Sequence, residues 1–188
     1  MKINQTRVRK IAKNSWAKIL LLAISLILVS CSTPDKTLQG TLTRVERVVS
    51  GNTLEVIDSR SVVPALQKVR LIGISAPDLK QNPWGIEAQQ YLEQLCLGKD
   101  VLIESETQQS DRYNRVLAYV WLDSVLLNEQ LVKSGYVLAN DPVLNSKYSQ
   151  RLQYAQYEAR ILGLGIWNPQ KPMRLTPAEF RRQNEQRQ

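Results

Sequence analysis

Beyond residue 40 the chain switches between two hydrophobic periods. Residues 41–49 (TLTRVERVV) are rich in β-branched side chains, which favour a pleated strand. Residues 53–57 (TLEVI) alternate, with Leu54 and Val56 on one face, and Ser50-Gly51-Asn52 between the two runs is a turn signal. Residues 68–74 (KVRLIGI) predict a third strand with Val69, Leu71 and Gly73 on one side, and 99–105 and 115–122 predict two more. The stretches 59–67 and 77–84 carry prolines and read as loops.

Helical spacing appears at 85–97, where Ala88, Tyr91, Leu92 and Leu95 fall at i, i+3, i+4 and i+7. Gly98 follows in the position a helix end favours. A short helix over 126–134 is stopped by Gly135, and a longer one over 146–162 has Tyr148, Leu152, Ala155, Ala159 and Leu162 along one side. Thr176-Pro177-Ala178-Glu179 is a capping-box pattern with proline at the first helical position. The expected fold is α+β and mainly β: a five-stranded Greek-key barrel of the OB type with flanking helices, its strand order left open.

Composition changes this picture in one respect, because charge is unevenly distributed. The formal net charge is +8, from 25 basic and 17 acidic residues. Six of the bases (Lys2, Arg7, Arg9, Lys10, Lys13 and Lys18) precede Cys31 and no acid does, so the rest of the chain is close to neutral. Anion binding must therefore come from local clustering. With no histidine in the chain, His-based triads and His-ligated metals are excluded. Cys31 and Cys96 are the two cysteines. No disulfide partner is expected for either, and Cys96 reads as a small buried apolar residue.

The basic start is followed by an 11-residue apolar run, 19–29 (ILLLAISLILV). That is short of the roughly 20 residues a membrane-spanning helix needs and fits the core of an export signal. Leu28-Val29-Ser30-Cys31 resembles a bacterial lipobox. The resemblance implies cleavage before Cys31, lipid on its thiol, and an exported protein anchored to a bacterial membrane. An ordinary signal peptide or an uncleaved anchor is the alternative. The expected organisation is a signal over 1–30, a lipidated tether over 31–39, a folded domain over 40–168 and a polar tail over 169–188.

Four stretches carry candidate chemistry: Val48 to Leu54 (VVSGNTL), Val69 to Asp78 (VRLIGISAPD), Ser110 to Tyr119 (SDRYNRVLAY), and Leu127-Asn128-Glu129 with Gly135-Tyr136. In their order and spacing they resemble the thermonuclease, or staphylococcal-nuclease-like, family, and Gly165-Ile166-Trp167 resembles that family's domain ending. The resemblance implies an OB-type barrel and Ca2+-dependent phosphodiester hydrolysis of DNA or RNA. It places Arg70 and Arg115 on the phosphate and Asp78 at the position of the catalytic glutamate. Asn52 and Ser75 stand where the family has metal-binding aspartates, Ala76 offers a backbone carbonyl to the metal, and Ser50 replaces a further acid.

Exchanging two carboxylates for an amide and a hydroxyl removes two negative charges from the metal site. Ligand charge tunes calcium affinity over decades, so Ca2+ binding is expected to be weak. Asp78 is one methylene shorter than glutamate, roughly 1.5 Å of lost reach, and about 1 Å of misplacement can slow a reaction on the order of 100-fold. Three functions follow from these residues: a weak endonuclease, a non-catalytic lipoprotein that binds nucleic acid or another polyanion through Arg70, Arg115 and Arg112, and an envelope scaffold module. On the bland reading Arg70 pairs with Asp78 or Asp111. Trp121, Trp167 and the tyrosines read as core in preference to base-stacking platforms, and 171–188, with five bases and two acids, as a solvated tail.

Overall fold

A computed structural model describes residues 39–58, 65–140 and 144–187. The segment expected to be an export signal, Cys31 and most of the expected tether lie outside the described residues. Strand β1 (Thr41–Ser50) turns through Gly51-Asn52 into β2 (Thr53–Asp58), which pairs antiparallel with β3 (Leu66–Leu71). Register shifts at Val45/Arg47 and Val48/Ser50 bend β1. Residues 43–50 pair with β2, while residues 41–44 also pair antiparallel, on the other edge, with β5 (Asp100–Glu104). β5 pairs antiparallel with β6 (Val116–Leu122), and β6 runs parallel to β3. The five strands close in the order β3-β2-β1-β5-β6, the expected OB-type barrel.

Residues 68–74 do not form one strand. Leu71 ends β3, Gly73 takes a positive φ of 72°, and β4 (Ile74–Ser75) leaves the barrel to pair with β8 (Leu138–Ala139). β7 (Val125–Leu126) extends the sheet beside β6. Helix α1 (Trp84–Cys96) buries Ala88, Leu92 and Cys96 against the barrel, leaving Tyr91 and Leu95 at the border of the core. The Cys96 thiol is fully buried, donates to the Leu92 carbonyl at 3.2 Å, and has its pKa pushed up to about 12 by burial. It is an inert core residue.

Helix α2 (Leu127–Lys133) carries fully buried Asn128. Its Oδ1 accepts from the Val120 N–H at 2.9 Å and its Nδ2 donates to the Ile72 carbonyl at 2.8 Å, tying β6 to the end of β3. Asn128→Ala strands both backbone groups in the core and is expected to lower stability by about 2–4 kcal/mol, read as a lower urea midpoint at unchanged m-value. Helix α3 (Ser149–Ile161) buries Leu152, Ala155 and Ala159, but Leu162, expected on the same stripe, follows the helix and is 60% exposed. Trp121 is core, with its Nε1 donating to Glu104 at 2.7 Å. Within the expected polar tail, residues 177–185 form helix α4 (Pro177–Glu185), started by a complete Thr176/Glu179 capping box.

Candidate active site

The turn between β1 and β2, the end of β3 and the loop entering β6 meet at one mouth of the barrel. Asn52 in that turn is 7% exposed. Its Oδ1 accepts from the Ser50 hydroxyl at 3.2 Å and the Thr53 hydroxyl at 3.5 Å. Arg70 stands opposite Thr53 in the β2–β3 ladder. Its guanidinium donates from Nη1 to the Asn52 carbonyl at 3.4 Å and from Nη2 to the Ile74 carbonyl at 3.3 Å. It forms no ion pair among the described residues, so neither Asp78 nor Asp111 neutralises it directly.

Parallel pairing of Val69 with Val116 and of Arg70 with Leu117 brings Arg115, the residue before β6, alongside Arg70. Asp111 fixes Arg115: its Oδ2 accepts from Arg115 Nε at 2.8 Å and lies 2.6 Å from Nη2, while Oδ1 accepts the backbone N–H groups of Tyr113 and Arg115 at 2.9 and 3.1 Å. Burial works against that carboxylate's charge, yet the hydrogen bonds from the Arg115 side chain and these two backbone groups hold its pKa below the usual range. Tyr113 is 63% exposed, with the guanidinium of Arg112 4.8 Å and that of Arg115 5.4 Å from its ring centre.

Arg70 differs from an ordinary arginine. Burial, then the charges of Arg115 and Arg181, push its pKa down to about 10, with Asp111 acting in the opposite direction. Three cations converge here against one acid already engaged with Arg115, so the mouth favours an anion. Arg181 on α4 was not among the residues expected at the site. The capping box at Thr176 foretold its helix, but no sequence signal says where that helix packs.

Asp78 is half-buried in the loop between β4 and α1. Its Oδ1 accepts the Lys80 N–H at 2.9 Å and its carbonyl accepts the Gln81 N–H at 2.8 Å. The loop rests against the first turn of α1: a Cβ on Gly85 would lie 2.0 Å from the Asp78 carbonyl oxygen, so glycine lets the two segments touch. Ser75 is half-buried on β4 opposite Leu138, and Ala76 is buried.

Calcium takes six to eight oxygen ligands and prefers charged ones. Asn52 and Ser75 supply neutral oxygens, the Asn52 oxygen already faces two hydroxyls, and the Asp78 oxygen at hand accepts a backbone N–H. Among the described residues no three acidic or cysteine side chains gather where they could hold a metal. With Arg70, Arg115 and Arg181 nearby, this donor set does not fit a calcium ion.

An OB-type barrel that brings arginines together at one mouth defines a barrel with an anion-favouring site. Residues 68–169 match the family model described as staphylococcal nuclease homologue, and the chain belongs to that family. It is 35% identical to the thermonuclease of Staphylococcus hyicus over 130 residues, covering 66% of this chain and 75% of that one. An uncharacterized endonuclease of Escherichia coli is 35% identical over 136 residues, 69% of this chain and 79% of the relative. An uncharacterized endonuclease of Haemophilus influenzae is 32% identical over 176 residues, 88% of this chain and 86% of the relative.

Proposed function

We propose that this chain is an exported, lipid-tethered phosphodiesterase that grips single-stranded DNA or RNA strongly and cleaves it slowly. Arg70 and Arg115 take the two free oxygens of the scissile phosphate and oppose the charge that develops on them during attack. Asp78 accepts the proton of the attacking water. The observation that carries the reading is the convergence of Arg70 and Arg115 with no carboxylate paired to Arg70 among the described residues. Slow chemistry follows from the neutral oxygens of Asn52 and Ser75 and the short reach of Asp78. A non-catalytic nucleic-acid binder is the second reading, favoured by the same neutral oxygens.

The test is single-stranded DNA binding by the full chain in EDTA, followed by cleavage of DNA and RNA with Ca2+. The two phosphate contacts of Arg70 and Arg115 contribute about −1.4 to the slope of log affinity against log salt. A flat slope would remove the arginine site from the proposal. Binding without any cleavage would select the second reading. The tether has its own readout: Cys31→Ala is expected to move the protein from the membrane fraction to the soluble one, and unchanged fractionation would exclude a lipid anchor at that thiol.

A further inference from the structure

A second feature has no part in the chemistry above. Between the 80–84 loop and the C-terminal segment lies a cleft of about 520 Å³, lined among others by Lys80, Gln81, Trp84, Lys171, Arg174 and Phe180. Its lining includes three bases and no acid. Trp84 and Phe180 are each half-buried, while Lys80, Lys171 and Arg174 are exposed. Gln81 is only 3% exposed; its Nε2 donates to the Leu175 carbonyl at 2.7 Å, tying the C-terminal segment to the loop. Its Oε1 is buried without a hydrogen-bond partner among the described residues.

Both walls of the cleft are linked along the chain to residues of the site. Asp78 belongs to the loop that Lys80 and Gln81 continue, and both of those residues donate backbone N–H groups to it. On the other wall, Phe180 is followed by Arg181, whose charge acts on Arg70. A polynucleotide leaving the arginine mouth along the loop therefore meets aromatic faces flanked by cations. Unpaired bases stack on such faces whatever their identity, and flanking lysines and arginines track the backbone. A duplex keeps its bases stacked inside and offers no face to Trp84 or Phe180.

We propose that the cleft between the 80–84 loop and the C-terminal segment is an extended subsite for single-stranded nucleic acid, stacking an unpaired base on Trp84 and Phe180 and holding its phosphates with Lys80, Lys171 and Arg174. The subsite rests on the reading of Arg70 and Arg115 as the phosphate site, and it makes the C-terminal segment a part of substrate binding. It sets a preference for strands long enough to reach from one site into the other.

The experiment compares a trimer and a nonamer of fluorescent oligothymidylate, bound to the full chain in EDTA. Lys171→Gln/Arg174→Gln changes two exposed side chains and keeps the fold; Phe180→Ala tests the stack. Each is expected to lower the ratio of nonamer to trimer affinity on the order of tenfold. The double variant is also expected to reduce the nonamer's log-log salt slope by about 1.4. An unchanged ratio in both variants, with trimer binding still lost in Arg115→Ala, overturns the subsite and leaves the arginine site standing. Failure of the natural chain to bind either oligonucleotide overturns both. Polyphosphate displacing the nonamer as well as unlabelled oligothymidylate does, at equal phosphate, overturns the stacking role.

Discussion

Replacing Arg70 by alanine is expected to slow phosphodiester cleavage by about 10²–10³-fold, the usual loss when one positioned donor to a developing oxyanion is removed. Arg70 is held by the Asn52 and Ile74 carbonyls with no paired carboxylate among the described residues, so no carboxylate consumes its charge. Arg115 cannot replace it, because Arg115 serves the other phosphate oxygen and its Nε and Nη2 are engaged by Asp111. Arg70→Lys should recover only part of the rate: a lysine keeps the charge but cannot present the planar two-pronged fork. Comparing kcat/KM for the three proteins on one oligonucleotide checks this. Equal rates for wild type and Arg70→Ala would show that the guanidinium is structural.

The same residue sets an alkaline limit on binding. Unfolded, the guanidinium has its ordinary, higher pKa; folded without a ligand, its pKa is about 10. Between those values the unfolded chain binds the extra proton, so the charge of Arg70 opposes folding, and stability from this group rises as pH rises through about 10. Anion binding has the opposite sign, since a phosphate favours the protonated form. Affinity is therefore expected to be steady through neutral pH and to fall as pH passes about 10, a fall absent in Arg70→Ala, where only the weak residual binding remains.

Much of the barrel was legible because strands and helices have periods. The alternation of Leu54 and Val56, the run through Val69 and Leu71, and the stripe of Ala88 and Leu92 all report burial directly. Two-residue strands have no period, so β4 and β8 left no trace, and only the glycine at 73 hinted that the third strand would break. At the site, the motifs identified Arg70 and Arg115, yet 45 positions separate them in the chain. What joins them is the parallel register of β3 with β6, a long-range pairing that no local pattern encodes. Arg181 was hidden for a related reason. Its helix is announced by the Thr176 cap, but the docking of that helix depends on Gln81 reaching the Leu175 carbonyl 94 residues away. Asn128 was visible as a motif residue without its reason, which is a bridge between two backbone groups that meet only after the barrel closes.

Restoring both carboxylates by Asn52→Asp/Ser75→Asp is expected to create calcium dependence where the natural site has little. Each substitution is nearly isosteric or small, and each puts a charged oxygen at a mouth crowded with arginines. Asn52 sits in a turn whose geometry is held by the Leu71 N–H and the Arg70 guanidinium on its backbone carbonyl, so the turn survives the change of its side chain. The Ser50 and Thr53 hydroxyls that now face the Asn52 oxygen donate equally well to a carboxylate. Two added charges beside Asp78 raise calcium affinity by on the order of 10²-fold or more, since ligand charge spans decades of affinity in oxygen-ligand sites. Cleavage by the double variant should rise steeply with Ca2+ and collapse with EDTA. The gain should vanish when Asp78→Ala is added, because the attacking water would then have lost its base. If calorimetry detects no tighter calcium binding in the double variant, then Ser75 and Asn52 do not face a common point. The slow chemistry proposed for the natural chain would then have to be traced to the reach of Asp78 alone.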